Sequence, residues 1–306
     1  MKTRLLATVL LFLQQSLSSQ TLFRDISFNA DEPTTNTSVR HVAVYPDQKI
    51  LICGDFSNYN GVLQRSLVRL LSTGEPDLSF TPPNLNGLVH SIAIQPWDNK
   101  VVIGGSFTIV NGSAANGLAR FNDDGTRDLA FNTGSGIGSG YSSELSVRSV
   151  VIIDNPDTSK RRIYAGGQFQ TFNGVNIGSR GGLVRLFENG NRDVSYNPLV
   201  TNGPVYAMKA DATGNLIIGG EFWNIGSATQ VRVARLNPDG TRDVSFNTNP
   251  FGPYSSVTSI GIDASGRILL GGWFTLSPRW RAAWNLGAAP AGQATALPLD
   301  YGTRYM

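Results

Sequence analysis

The sequence predicts an all-β fold, a β-propeller of about five four-stranded blades with an incomplete or irregular last blade. The composition favours short strands and turns, because 34 of the 306 residues are glycine, only 15% are charged and 41% are hydrophobic. Three motifs also recur in a constant order roughly every 50 residues, which is the usual length of a propeller blade. Each repeat is therefore expected to form one blade, and the chain also fits a fragment of a larger propeller.

The first motif is an apolar run that ends in two glycines, a spacer and a phenylalanine. Its copies are "KILICGDF" 49–56, "KVVIGGSF" 100–107, "RIYAGGQF" 162–169, "NLIIGGEF" 215–222 and "RILLGGWF" 267–274. One copy alone would fit a phosphate-binding loop, but that loop needs a following helix and no helical periodicity follows any copy. The recurrence instead predicts a strand whose glycines allow close packing near the propeller axis.

Within this motif, the second glycine occurs in all five copies, whereas Cys53 replaces the first glycine in one of them. An invariant glycine predicts either a positive φ or no space for a Cβ atom. The phenylalanine is predicted to pack between blades, with a stacking platform for a sugar or base as the alternative. These residues are Phe56, Phe107, Phe169, Phe222 and Phe274.

The second and third motifs are D-x-S/A-F/Y and V/A-R-L/F, and they recur together. The aspartates are Asp25, Asp77, Asp128, Asp193 and Asp243, and the arginines are Arg69, Arg120, Arg185 and Arg235. An arginine inside a strand needs a partner if it is buried, and a carboxylate offers one. We predict an ion pair that locks the blades together, since catalysis would require one asymmetric constellation and not the same residues in every blade.

The first repeat contains four strand candidates: Asp25–Asn29, Val39–Val44, Lys49–Gly54 and Ser66–Leu71. They are apolar and show little alternation, as expected for a sheet that is covered on both faces. A β-solenoid and a string of small β-domains are the alternative architectures. A solenoid coil usually has fewer residues, and a lone unit of about 50 residues could hardly bury its own core.

The sequence divides into three parts. Residues 1–20 are predicted to be a signal peptide, with Lys2 and Arg4 before an apolar run that is too short to span a membrane. Residues 21–280 are predicted to be the propeller, with repeats that start near 25, 77, 128, 193 and 243, and residues 281–306 an irregular low-complexity tail.

Charge and cysteine content restrict the classes of partner. Loss of Lys2 and Arg4 with the signal peptide lowers the formal net charge from +3 to +1. Without basic clusters there is no electrostatic footprint for nucleic acid or anionic lipid. Cys53 is the only cysteine, so the chain has no intrachain disulfide and depends on its core for stability.

The sequence predicts no catalytic, cofactor-binding or metal-ligating residue, and the ligand-binding residues remain unknown at this level. "NDDGTRD" (122–128) and "NPDGTRD" (237–243) leave a calcium loop open, although ordinary turn chemistry explains them. His41 and His90 lack a second histidine or cysteine at metal-binding spacing. The irregular third repeat, with additions at 134–144, 154–162 and 174–182, is where an asymmetric site is expected first.

Through the D-x-S-F-N, K-I-L-x-G-G-x-F, N-G and A-R-L-N-x-D-G signatures, residues 25 to 275 resemble the delta-60 repeat family. This resemblance implies propeller-type repeats of exported bacterial proteins, often type IX secretion cargo, with a binding or adhesion role and no catalytic residues. The chain departs from the family after Thr275, where "RAAWN" (281–285) is at most a degenerate last strand and no type IX sorting domain is visible.

We expect an exported, non-enzymatic scaffold, located outside the cell, at the cell surface or in the periplasm. It would bind a protein or glycan partner through loops on one face, as a monomer without a cofactor, a nucleic-acid partner or a membrane span. Two alternatives remain open: a carbohydrate-active enzyme with a site in the central funnel, and a lectin with one sugar pocket per blade.

Overall fold

A computed structural model describes residues 38–59, 62–63, 65–138, 145–177, 181–196, 202–229, 232–246, 255–273 and 294–296. Within these ranges the regular structure is β-strand, apart from one 3-10 turn at Thr158–Lys160. The described residues contain no helix that is long and apolar enough to cross a membrane. The predicted signal peptide lies outside the described residues.

Five three-stranded sheets form the body of the protein, and we call them blades 1 to 5. The strands, numbered in chain order, are β1 (Val39–Val44), β2 (Ile50–Gly54) and β5 (Leu67–Leu70) in blade 1; β6 (Val89–Ile94), β7 (Val101–Gly105) and β10 (Leu118–Phe121) in blade 2; β12 (Ser146–Ile153), β13 (Arg162–Gln168) and β16 (Gly182–Leu186) in blade 3; β17 (Val205–Ala210), β18 (Leu216–Gly220) and β21 (Val233–Leu236) in blade 4; and β22 (Ser256–Ile262), β23 (Ile268–Trp273) and β24 (Ala294–Ala296) in blade 5. We refer to the strands of each blade as inner, middle and outer.

Short strands accompany the middle strand of the first four blades. They are β3 (Asn58–Tyr59) with β4 (Val62–Leu63), β8 (Ile109–Val110) with β9 (Ser113–Ala114), β14 (Thr171–Phe172) with β15 (Val175–Asn176) and β11 (Ile137–Gly138), and β19 (Asn224–Ile225) with β20 (Ala228–Thr229). In β8–β9 and β14–β15 the connecting residues are Asn-Gly pairs with positive φ at both positions, which is the geometry of a type I′ turn.

The blades are arranged side by side around a shared axis. Each inner strand contacts the inner strand of the next blade, from β1 through β6, β12 and β17 to β22. Residues from all five inner strands line one cavity. Antiparallel sheets that meet along their first strands around a central cavity form a β-propeller, so the predicted fold class is confirmed.

Most of the hydrophobic core lies between the blades, and the middle strands of blades 1 to 4 each contribute to two clusters. In blade 4, Leu216 and Ile218 pack in a cluster with Tyr164 of blade 3, whereas Ile217 packs in the next cluster with Val257 of blade 5. Because successive residues of a strand point to opposite faces, a strand between two cores must be apolar at every position. This arrangement explains the weak alternation of the sequence.

The first glycine of the pair makes room for the inner strand of the next blade. A Cβ atom on Gly166 would lie 2.9 Å from both Val205 Cγ1 and Met208 Sδ. Cys53 occupies this position in blade 1, where it is buried in a cluster with Val89 and Ile92 of blade 2. The close packing predicted from the glycines is therefore confirmed, and one boundary accommodates a small side chain.

The second glycine lies against the backbone of its own inner strand. A Cβ atom on Gly167 would be 2.1 Å from the carbonyl oxygen of Ser146, and Gly220 has the same relation to Pro204 at 2.0 Å. Of the two explanations that the sequence leaves open, lack of space applies at each of these glycines. Only Gly272 among the five also has a positive φ, of 155°.

The D-x-S/A-F/Y motif forms a turn, so the prediction of a strand at this motif is wrong for the described copies. In the copy at Asp77, the Ser79 backbone N–H and Oγ donate hydrogen bonds to Asp77 Oδ1 at 3.0 and 2.6 Å. These local bonds satisfy the aspartate without a sheet partner, as in other Asx turns. Asp25–Asn29 lies outside the described residues.

The predicted ion pairs form in all four described copies. The arginine Nε donates to the aspartate Oδ2 in Arg69–Asp77, Arg120–Asp128 and Arg185–Asp193 at 2.8 Å, and in Arg235–Asp243 at 2.7 Å. Three of the arginines also donate from Nη1 to a backbone carbonyl in the turn of the next blade, at Asp123, Glu188 and Pro238. The pairs therefore connect neighbouring blades, as the sequence predicts.

The row of blades has two different end faces. Val39 of blade 1 is 46% exposed, whereas the equivalent valines of blades 2 to 5 are 0% exposed. At the other end, a Cβ atom on Gly271 would meet, among the described residues, only Ser259 Cβ, at 3.4 Å. β1 and β22 do not share a contact comparable to those between the other inner strands of the described chain.

The fifth blade differs from the others at its outer strand. β24 pairs with β23 in parallel, whereas the outer strands of the other blades are antiparallel to their middle strands. The three residues of β24 belong to the segment assigned by sequence to the irregular tail. Residues 281–285, considered above as a degenerate last strand, lie outside the described residues.

Candidate functional site

Each inner strand contains a β-bulge at the same position. The register with the middle strand shifts between Val39 and His41, and between the equivalent residues of the other four blades. The extra residues are Arg40, His90, Arg148, Tyr206 and Thr258, and we call them the bulge ring. Bulges redirect a side chain and are frequent beside active and binding sites.

The bulge ring lines the cavity between the inner strands. This cavity has a volume of about 510 Å³, and all five ring residues belong to its wall together with Lys209. That volume lies within the usual range for a small-molecule site, about 300 to 1,000 Å³. The inner strands thus hold chemically different side chains at one backbone position around a shared space.

The charge of the cavity wall is positive. Arg40, Arg148 and Lys209 line it, whereas none of its described lining residues is an aspartate or glutamate. Arg148 donates from Nε to Ser146 Oγ at 2.8 Å, and no ion pair is present at any of these three cations within the described part of the chain. The recurring arginines of the outer strands, in contrast, each pair with an aspartate.

In blades 1 to 3, the residue after the bulge connects neighbouring inner strands. His41 Nδ1 accepts the Ile92 backbone N–H at 2.9 Å, and Ser91 Oγ accepts that of Val150 at 3.0 Å. Ser149 Oγ accepts the N–H of Met208 in the same manner, at 3.1 Å. Burial, followed by the charge of Lys209, lowers the pKa of His41, which keeps its Nδ1 available as an acceptor.

His90, at the bulge of blade 2, is neutral at physiological pH. Burial lowers its pKa to about 4, with further contributions from the charges of Arg148 and Arg40. Its Nδ1 is buried and has no hydrogen-bond partner in the described structure. The low pKa shows that the cavity is an unfavourable place for one more positive charge.

The cavity contains a serine–histidine contact, but its hydrogen bonds do not suit a nucleophile. Ser91 Oγ lies 3.4 Å from His41 Nδ1. Each of these atoms already accepts a backbone N–H from the neighbouring blade. A general base needs a free lone pair toward the hydroxyl that it activates, so this pair serves the contact between blades.

In the third repeat, where sequence analysis looks first for an asymmetric site, the described residues of the extra segments do not line the cavity. Within 154–162, the Arg161 guanidinium stacks on the Trp97 ring with a distance of 4.1 Å to the centroid. Trp97 Nε1 in turn donates to Glu188 Oε1 at 3.1 Å. This addition therefore packs against blades 2 and 3, and parts of the other two additions lie outside the described residues.

The aspartate-rich loops use their carboxylates as turn acceptors. Asp124 Oδ1 accepts the Thr126 backbone N–H and Oγ1, and Asp239 makes the same two bonds to Thr241. No group of three histidine, cysteine, aspartate or glutamate residues in the described ranges is arranged to hold a metal ion. These loops therefore show turn chemistry at the positions considered for calcium.

A second repeated surface feature lies at the D-x-S/A-F/Y turns. The side chain after each aspartate is aliphatic and between 77% and 86% exposed: Leu78, Leu129, Val194 and Val244. The phenylalanine or tyrosine two residues later is buried instead, in the contact between blades. The exposed side chains are distributed over four blades and form no pocket.

The bulge ring was missed by sequence reasoning, which considered His41 and His90 only as isolated residues. A signal was present, because each inner strand has a polar or aromatic residue directly after the valine at its start. Strict alternation fails there, and a failure of alternation at one fixed position indicates a bulge.

A family model that matches the sequence agrees with the fold. Residues 46–80, 98–131, 161–196 and 212–246 match the model of a β-propeller family described as domain of unknown function DUF5122. The described structure is similar to that of PorZ, an essential surface component of the type IX secretion system of Porphyromonas gingivalis, with 11% identity and a TM-score of 0.36. The match covers 76% of this chain and 31% of PorZ, and no curated protein matches the sequence. The chain is a β-propeller repeat protein.

Proposed function

We propose that the protein is an exported, non-catalytic scaffold that binds a protein or glycan partner at the end of the propeller where the bulge ring lies. The observation that carries this proposal is the chemical variety of the ring. Five equivalent backbone positions hold arginine, histidine, arginine, tyrosine and threonine, whereas positions that serve the fold repeat the same residue. Variation at a fixed, cavity-facing position is what specific recognition requires.

The residues that recur in every blade are already used by the fold. In the described copies, the arginines and aspartates pair with each other, the glycines face other atoms at close range, and the four motif phenylalanines are buried. Few of them are available to a partner. The surface that differs between blades is therefore the better candidate for recognition.

The charge of the cavity favours binding over glycoside hydrolysis. Most glycosidases need two carboxyl groups on either side of the scissile bond. The described cavity wall offers cations, hydroxyls and imidazoles instead. Export is supported by the N-terminal pattern of Lys2, Arg4 and the following apolar run.

A matched pair of double variants tests this function. Residues 21–306 would be applied to a glycan array and, after immobilisation, to extracts of cell-surface proteins. Three proteins are compared: the wild type, the cavity variant Arg40→Ser with Arg148→Ser, and the control variant Arg65→Ser with Arg267→Ser. Both variants lose two positive charges, but only the first changes the cavity. We expect the first variant to lose a partner that the second retains, and equal binding by the two would contradict the proposal.

A further inference from the structure

We propose that the bulge ring and the cavity behind it form a binding site for a carboxylate-bearing saccharide, such as a uronic acid unit. This inference rests on the proposed function and specifies the ligand. The juxtaposition that carries it is Arg40, His90 and Arg148 on three consecutive inner strands, with Tyr206 and Lys209 on the fourth.

The positive charge of the cavity wall is uncompensated, which favours an anionic ligand. Arg40, Arg148 and Lys209 line one concave wall without a described carboxylate, although the same chain pairs its other strand arginines closely. Cations of like sign that share a partly enclosed space repel each other, and the enclosure strengthens the field. A ligand anion supplies the counter-charge that the protein omits.

The guanidinium donors of the cavity wall favour a carboxylate as the anionic group. Guanidinium groups bind carboxylates through two parallel N–H···O bonds, which gives direction as well as charge. Arg40 and Arg148 occupy the same bulge position in blades 1 and 3, so they approach the cavity from either side of His90. His90 occupies the same bulge position on the strand between theirs and also lines the cavity, and its buried Nδ1 has no partner in the described structure.

The remaining residues of the bulge ring favour a sugar over an acidic peptide. The ring continues with an aromatic residue and a hydroxyl, Tyr206 and Thr258, at the same bulge position. Sugar rings are recognised by this combination of an aromatic surface with polar groups at fixed places. The volume of about 510 Å³ suits one or two sugar units.

Calorimetric titration of residues 21–306 with uronic acid disaccharides and their methyl esters tests the proposal, because the ester removes the charge and the two-oxygen acceptor and adds only a methyl group. We expect saturable binding of at least one free acid and a loss of about 10- to 100-fold in affinity for its ester. Arg148→Gln should weaken binding of the acid by a similar factor and binding of the ester by much less, whereas the control Arg267→Gln should alter neither. The imidazole signals of His90, followed by NMR, should report an increase of its pKa from about 4 when the acid is bound.

Several outcomes would overturn the inference and still spare the scaffold function. They are equal affinity for acid and ester, displacement of the acid by inorganic phosphate at the same concentration, tighter binding of hexaglutamate, or no binding across the panel. In each case the proposed scaffold function would stand if a partner found on the array or in the extracts still required Arg40 and Arg148 for binding. A partner whose binding is unaffected by replacement of both arginines would overturn the two proposals together.

Discussion

Replacement of Arg120 tests how strongly the arginine–aspartate pairs hold the blades together. Its Nε lies 2.8 Å from Asp128 Oδ2, and the two side chains are 5% and 7% exposed. Its Nη1 donates to the Glu188 carbonyl of the next blade. Removal of one partner of a buried pair costs about 3 to 5 kcal/mol of unfolding free energy. Lys100 Nζ remains 2.9 Å from the same carboxylate, so we expect about 3 kcal/mol for Arg120→Ala.

Arg120→Lys separates the charge from its geometry. A lysine keeps a cation near Asp128 but cannot reach the carboxylate and the Glu188 carbonyl with a planar fork. The expected loss is one charge-assisted hydrogen bond, about 1.5 to 2 kcal/mol. The free energy of unfolding should therefore decrease from the wild type to the lysine variant and further to the alanine variant, because the lysine keeps only part of the two contacts.

Urea unfolding followed by tryptophan fluorescence and circular dichroism measures these differences. Arg267→Ala is the control, because its pair with Asp263 is exposed and should leave the midpoint unchanged. Hydrogen exchange adds a local readout at the Asn132 amide, which donates to the Asn189 carbonyl across the same boundary at 2.8 Å. This amide should exchange faster in both Arg120 variants.

Two results would refute the reasoning. One is a lysine variant as stable as the wild type, which would mean that charge alone matters. The other is an alanine variant no less stable than Arg267→Ala, which would mean that apolar packing holds the blades without the pairs. Non-coincident fluorescence and dichroism transitions would indicate that blades unfold separately, and the exchange data would then decide.

Three further predictions follow from packing and burial. Gly219→Val should lower the unfolding free energy by about 2 kcal/mol or more, because its Cβ would lie 2.7 Å from Val257 Cγ1, and Val257→Ala should partly rescue it in urea unfolding. Cys53, whose pKa burial raises to about 12, should not react with iodoacetamide at about pH 8 until urea unfolds the chain, and rapid labelling of the native protein would contradict its buried position. The pKa of His90 is about 4 in the folded chain, against an ordinary value of 6.5 in the unfolded chain. Between these two pH values the unfolded chain therefore binds one more proton at His90 than the folded chain. The contribution of neutral His90 to the free energy of unfolding is complete above about pH 6.5 and declines as the pH falls toward 4. The midpoint of thermal unfolding of His90→Gln should therefore fall less between about pH 7 and about pH 4.5 than that of the wild type.

The repeated elements could be predicted from sequence because each performs the same task in every blade. The ion pairs and the packing glycines follow from residue type and spacing alone: Arg120 with Asp128, Gly166 beside Val205. The strand predicted at Asp77 was wrong because the aspartate and serine side chains satisfy the backbone locally, an outcome that apolar content does not reveal.

The candidate site could not be predicted in the same way, because it depends on one residue from each of several distant segments. Arg40 and Arg148 are far apart in sequence and meet only when the inner strands gather around the axis. Their lack of a carboxylate partner is equally invisible in the sequence, which contains 22 aspartate and glutamate residues. Only the arrangement of the strands shows that the acids lie elsewhere.

The unequal end faces give the row of blades a direction. Val39 and Val42 are exposed at one end, and their equivalents at the interior boundaries fill the space beside a glycine of the preceding blade. At the other end, a Cβ atom on Gly271 would meet only Ser259 Cβ among the described residues. Such faces complement each other but not themselves, so contact between copies through them would be head to tail and would build rings or filaments instead of two-fold dimers. Polar substitutions at Val39 and Val42 should prevent any contact of this kind, because they remove the exposed apolar surface of one face.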